Sequence, residues 1–152
     1  MPVAANGCHL RRGRYSEPGH IYLLTAVVAQ RQPVFADWRA GRLLVDQLRS
    51  AEEAGRVTSM AWVVMPDHLH WLFQLQRGSL PELVCRIKSR SSHSINLTRG
   101  EQGRLWQPGY YDRALHRDED LIGAARYTIM NPLRAGLVKR IGDYPLWDAI
   151  WI

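Results

Sequence analysis

An α+β fold, a ferredoxin-like antiparallel sheet with helices packed on it, is what this sequence predicts, on three observations. Elements follow in the order strand, helix, strand, strand, helix, strand, helix, the arrangement of a split βαβ unit. The two consecutive strands are separated only by Pro66-Asp67, a connection that suits an antiparallel hairpin. The helical stretches each carry an apolar stripe, which needs a sheet to cover. With 152 residues the chain has enough material for one real core and little for a second. Residues 1–152 are therefore read as a single domain, in which 1–18 form a basic, flexible lead-in.

Each element has a local cause. Residues 20–30 are rich in β-branched and aromatic side chains and form the first strand, ended by Arg31-Gln32-Pro33. From Trp38 to Ala54, Leu43, Leu44, Val45 and Leu48 fall at helical spacing, and Gly55 supplies a stop. Val57–Met65 and His68–Leu75 are the hairpin strands. Gly78-Ser79 breaks that pattern, and Ser79 caps a second helix carrying Leu80, Leu83, Val84 and Ile87, with Glu82 placed as in a capping box. Its outer side presents Arg86, Lys88 and Arg90 before a run of serines. A bent strand lies within Leu105–Leu115, with Pro108-Gly109 at the bend. Asp118-Glu119-Asp120 then opens a third helix that ends near Asn131-Pro132.

Composition narrows the function classes. The formal charge is +6, and of the basic residues only Lys88 and Lys139 are lysines. Arginine suits phosphate because its planar fork donates two parallel hydrogen bonds. The balance fits a nucleic-acid partner and, equally, a merely basic surface. Cys8 and Cys85 stand far apart and outside any CxxC pattern, which fits a reducing compartment. The apolar run Ile21–Ala29 is far short of the roughly 20 residues of a membrane span, so a strand is expected there and no membrane role.

In "PDHLHWLF", strand alternation puts His68, His70, Leu72 and Gln74 on one face and Leu69, Trp71, Phe73 and Leu75 on the other. The second set is wholly apolar and faces the packed helices. The two histidines therefore sit side by side on the opposite face, able to hold one ion or simply to be satisfied by separate hydrogen bonds. Two imidazoles do not complete a metal site, so the metal reading needs a third donor. His9, His20, His93 and His116 have no spacing partner and read as ordinary.

The third helix contains "DEDLIGAARYTIMNP", where Leu121, Ile122, Ala125 and Ile129 make one stripe. Tyr127 and Asn131, four residues apart, fall on the other side near Gly123 and Ala124. The tyrosine thus stands off the core stripe with room for a substrate, and Asn131 offers a carbonyl oxygen one turn on, or else is only the turn signal of Asn-Pro. Tyr110 and Tyr111 are rival nucleophiles, ranked instead as packing or base-stacking residues.

With "MPDHLHWLF" and "ARYTIMNPLRAGLV" in this order, joined by "PVFADW", "LWQPGYYDRALHRDEDL" and "DYPLW", the chain resembles the single-tyrosine HUH transposases (the IS200-like superfamily) along nearly its whole length. Within them it is most similar to the short REP-associated tyrosine transposases; only the lead-in "LRRGRYSEPGHIYLL" follows their pattern loosely. The resemblance implies the HUH endonuclease fold, His68 and His70 as metal ligands with Asn131 as the third, and Tyr127 as nucleophile. It implies a bacterial, cytoplasmic and nucleoid-associated protein, a monomer, acting on single-stranded DNA with hairpin or palindromic repeats.

The implied reaction is transesterification: Tyr127 attacks a phosphodiester, leaving a 5′-phosphotyrosine and a free 3′-hydroxyl. A divalent ion, Mg2+ or Mn2+, would polarise the phosphate, with Mn2+ accepting imidazole more readily. Arg14, Arg86, Lys88, Arg90, Arg126 and Arg134 are the expected contacts to the DNA backbone. The alternatives are a catalytically silent protein that binds DNA hairpins, and a nuclease that uses water in place of the tyrosine.

Overall fold

Alternation in the hairpin decides the architecture. A computed structural model of the protein describes residues 18–116 and 120–150; Arg14, most of the lead-in and the acidic residues 118 and 119 lie outside them. The elements are β1 (Ile21–Val27), α1 (Trp38–Glu53), β2 (Val57–Met65), β3 (His68–Leu75), α2 (Leu80–Arg99), β4 (Tyr111–Leu115), α3 (Leu121–Ile129), α4 (Asn131–Arg134) and β5 (Trp147–Ala149). The strands form one antiparallel sheet in the order β4-β1-β3-β2-β5. Its first four strands have the order of the ferredoxin-like fold.

On one face, Tyr22, Leu24 and Ala26 of β1 and Leu69, Trp71, Phe73 and Leu75 of β3 pack beneath α1 and α2. A register shift between Ser59 and Ala61 changes the parity of β2. Val57 before it and Trp62 and Val64 after it therefore all reach this same core. On the other face α3 lays Ala125 and Ile129 over Ile21, Ala61, Leu72, Leu115 and Ala149. Each side of the sheet is thus covered, one by two long helices and the other by one short one.

Several expectations are refined. Ser79 does cap α2 by accepting from the Glu82 amide at 3.3 Å, but the helix continues through the serines to Arg99 and ends at Gly100, whose φ of 66° is the left-handed stop. The serines are tolerated because Ser91 turns inward, where its hydroxyl donates to the Ile87 carbonyl at 2.6 Å and accepts from Trp106 Nε1 at 3.0 Å. Ile122 is not part of the inner stripe of α3: it is exposed, and Thr128 is buried in that stripe instead. The edge strand β5 was not foreseen, being three residues long. It is tied down by Tyr144, whose hydroxyl donates to the Val64 carbonyl at 2.6 Å. Cys85 is half-buried on α2. No helix among the described residues is long and apolar enough to cross a membrane.

Candidate active site

Because Leu69, Trp71 and Phe73 are claimed by the α1/α2 core, β3 has to present His68 and His70 on the face that α3 covers. The imidazole rings lie 4.7 Å apart between centroids, edge to face. His68 Nδ1 meets Asp67 Oδ1 at 2.6 Å. A carboxylate only accepts, so Nδ1 is the donor and Nε2 is left out of this bond. His70 Nδ1 pairs with Thr25 Oγ1 at 2.9 Å, a partner supplied by β1, whose Thr25 is the register neighbour of His70. Both rings therefore have one nitrogen fixed by the protein and Nε2 left over, which is how metal-binding histidines are held.

Electrostatics sharpen this. Burial, then the neighbouring His68 and Arg134, push the pKa of His70 down to about 4. At neutral pH the ring is therefore uncharged. Burial by itself would raise Asp67, but its hydrogen bond and attraction to His68, and those to Arg31, hold it below the ordinary carboxylate value. Arg31 Nη1 donates to Asp67 Oδ2 at 3.2 Å. It does so from an unusual backbone: Gln30 and Arg31 have φ of 56° and 49°. Such left-handed non-glycine residues each cost on the order of 1–3 kcal/mol and gather at functional sites.

Tyr127 stands on α3, above the same face and 66% exposed. Asp120 starts the helix by accepting from the Gly123 amide at 2.8 Å. The helix closes at Ile129, and Asn131 opens the separate four-residue α4, so tyrosine and asparagine lie on two helices broken at Met130. Asn131 Nδ2 donates to the Thr128 carbonyl at 2.8 Å, which leaves Oδ1, the atom a hard cation would use, out of that bond. Among the described residues no third His, Cys, Asp or Glu joins the pair in a metal-holding group. The donors present fit a divalent ion that accepts imidazole and completes its shell with oxygen.

The expected DNA contacts divide. Arg126 and Arg134 belong to α3 and α4, on the histidine face. Arg86 and Arg90 lie on α2, over the other face, where crowding by Arg90, with Arg56 adding to it, lowers the Arg86 pKa. Lys88 is not presented with them: its ammonium donates to the Gln107 carbonyl at 2.8 Å and to the Gly109 carbonyl, bracing the bend before β4. The two adjacent tyrosines also divide. Tyr110 is 1% exposed, in the core, and Tyr111 is 47% exposed. Tyr111 is the register partner of Thr25, itself the partner of His70, so it shares their face about 10 Å away, two strand spacings. Sequence reading passed over Thr25, Arg31 and Asp67. Asp67 was visible as the acid directly before the first histidine; Thr25 needed the strand register.

The sequence profile of the family "Transposase IS200 like" matches residues 17–127. The REP-associated tyrosine transposase of Escherichia coli K12 is 30% identical over 87 residues, which take in 56% of this chain and only 50% of that protein. A Haemophilus influenzae Rd protein, provisionally assigned to the same class, is 21% identical over 145 residues, 84% of this chain and 78% of that one. A solved REP-associated tyrosine transposase bound to a REP hairpin superposes with a TM-score of 0.74 at 23% identity, covering 88% of this chain and 79% of that one; at that identity the likeness speaks for the fold. The profile covers more than half of the chain, including the histidine pair and Tyr127, and the chain belongs to the IS200-like transposase family.

Proposed function

We propose that this chain cleaves and rejoins single-stranded DNA at palindromic hairpins, with Tyr127 as nucleophile and a divalent metal held by His68, His70 and Asn131. The observation that carries the reading is that a preoriented histidine pair and an exposed tyrosine lie on one face of the sheet in a member of a transposase family. The hairpin substrate is taken from the solved relative, which holds a REP hairpin.

In this mechanism Tyr127 Oη attacks phosphorus. The 3′-oxygen of the preceding nucleotide leaves and takes up a proton, the phenol loses one, and the 5′-phosphate remains esterified to Tyr127. The bond energy is conserved in that ester, so a 3′-hydroxyl can reverse the step without ATP. A bound Mg2+ or Mn2+ would supply Lewis-acid polarisation of the phosphate and fix its position. Asp67 and Thr25 hold the two rings so that Nε2 of each is available. Arg126, next to Tyr127 in sequence and exposed, would contact the backbone of the incoming strand.

The test is to incubate the protein with a labelled single strand bearing a hairpin and Mn2+ or Mg2+. A denaturant-resistant protein–DNA adduct is expected with wild type and none with Tyr127→Phe. Cleavage without adduct would point to a water-using nuclease, and binding with neither would point to a silent hairpin binder.

A further inference from the structure

Arg134 stands apart from the other arginines because of what it touches. Its guanidinium carbon lies 3.7 Å from the centroid of the Tyr127 ring, and its Nη2 donates to the Tyr127 carbonyl at 2.7 Å. One side chain therefore grips the same residue twice, by ring and by backbone. Tyr127 is otherwise a 66% exposed side chain, and an exposed phenol hops among rotamers on the ps–ns timescale. A nucleophile needs the reverse, an oxygen held in line with phosphorus.

The backbone explains how the grip arises. The chain passes Met130 into α4, with Pro132 in its first turn, and residue 134, seven positions on from residue 127, comes round to the same side. The Asn131 bond to the Thr128 carbonyl fixes the same corner. The planar guanidinium can stack and donate at once, which an ammonium cannot.

We propose that Arg134 is a positioning residue that clamps the Tyr127 side chain for attack, and that it is not one of the contacts to the DNA backbone. This rests on Tyr127 being the nucleophile.

The two roles separate experimentally. For a clamp, Arg134→Ala and Arg134→Lys should both slow single-turnover adduct formation by about 10–100-fold, with hairpin affinity and its salt dependence unchanged. For a backbone contact, Arg134→Ala should weaken binding and reduce the salt slope by about one, and lysine should restore most of it. That second pattern would overturn the proposal. A second arm is independent of turnover: with 3-fluorotyrosine at Tyr127, the 19F resonance of the DNA-free protein should move and become averaged in Arg134→Lys. An unchanged resonance would also overturn the clamp. If wild type forms no adduct at all, the transesterase reading fails while the 19F arm still decides whether the clamp exists.

Discussion

On the α1/α2 face of the sheet, β3 contributes Leu69, Trp71, Phe73 and Leu75, each 0–1% exposed; on the α3 face the same strand contributes His68, His70 and Gln74, all part-exposed, with only Leu72 sealed. The first face is filled with large rings beneath two long helices. The second holds a smaller cluster with no buried aromatic ring, Ala61, Ala125 and Ala149 beside Ile21, Leu72, Leu115 and Ile129, and a helix of nine residues covers it. On that side the histidines stay part-exposed and Tyr127 is exposed on the covering helix. The contrast teaches that stabilisation and chemistry are assigned to opposite sides of one strand, residue by residue.

Breaking the first face should have the largest effect. Trp71 is fully buried and donates to Ser59 Oγ at 2.9 Å. Trp71→Ala should cost about 3–5 kcal/mol in chemical denaturation, with activity falling only as the chain unfolds. The mirror experiment is His68→Ala. It should lower adduct formation by about 10³-fold, about 4 kcal/mol of barrier, while the denaturation midpoint hardly moves. If His68→Ala were as destabilising as Trp71→Ala, the division of labour between the faces would be wrong.

That division explains what could be read in advance. The hairpin, its turn and both long helices follow from periodicity and caps, because those signals are local: Asp37 and Ser79 cap their helices by accepting from the Arg39 and Glu82 amides. The histidine face was legible for the same reason, since alternation is a property of one strand. Thr25 was not, because its role depends on lying opposite His70 in the sheet. Lys88 was misplaced because charge suggested solvent, whereas a bend about twenty residues on supplied carbonyls to receive it. Ile122 was misassigned by apolarity alone; the smaller Ala124 and Thr128 fit closer to the sheet, Thr128 satisfying its hydroxyl on the Ala124 carbonyl at 2.8 Å.

A smaller effect would sharpen the account of the site face. Asp67 bonds both His68 and Arg31, and its loss frees the His68 ring to turn. Asp67→Ala should weaken Mn2+ binding by about 10–100-fold, as removal of such outer partners typically does, measured by calorimetric or EPR titration. Unchanged affinity would mean that the carboxylate does not orient a ligand. Since Asp67 is held below its ordinary pKa, it stays ionised at neutral pH, and the effect should persist from neutral to alkaline conditions.

The last test concerns a charge set inside the better-packed side. Lys88 is held down to about 8, first by burial and then by Arg104, against 10.5 for an unperturbed lysine. Between these values the unfolded chain binds the proton that the folded chain has released, so stability on this account rises with pH from about 8 to 10.5, with a slope no steeper than about 1.4 kcal/mol per pH unit. Lys88→Met keeps the length of the stem and removes the titration. The difference in unfolding free energy between wild type and Lys88→Met should therefore move in favour of wild type across this window and level off on either side. A flat difference would mean that the ammonium is solvated, and Lys88 would return to the set of cations available to DNA. A sloping one makes it a brace for the Gln107–Gly109 bend, and through that bend for β4, which carries Tyr111 onto the face where the histidines stand.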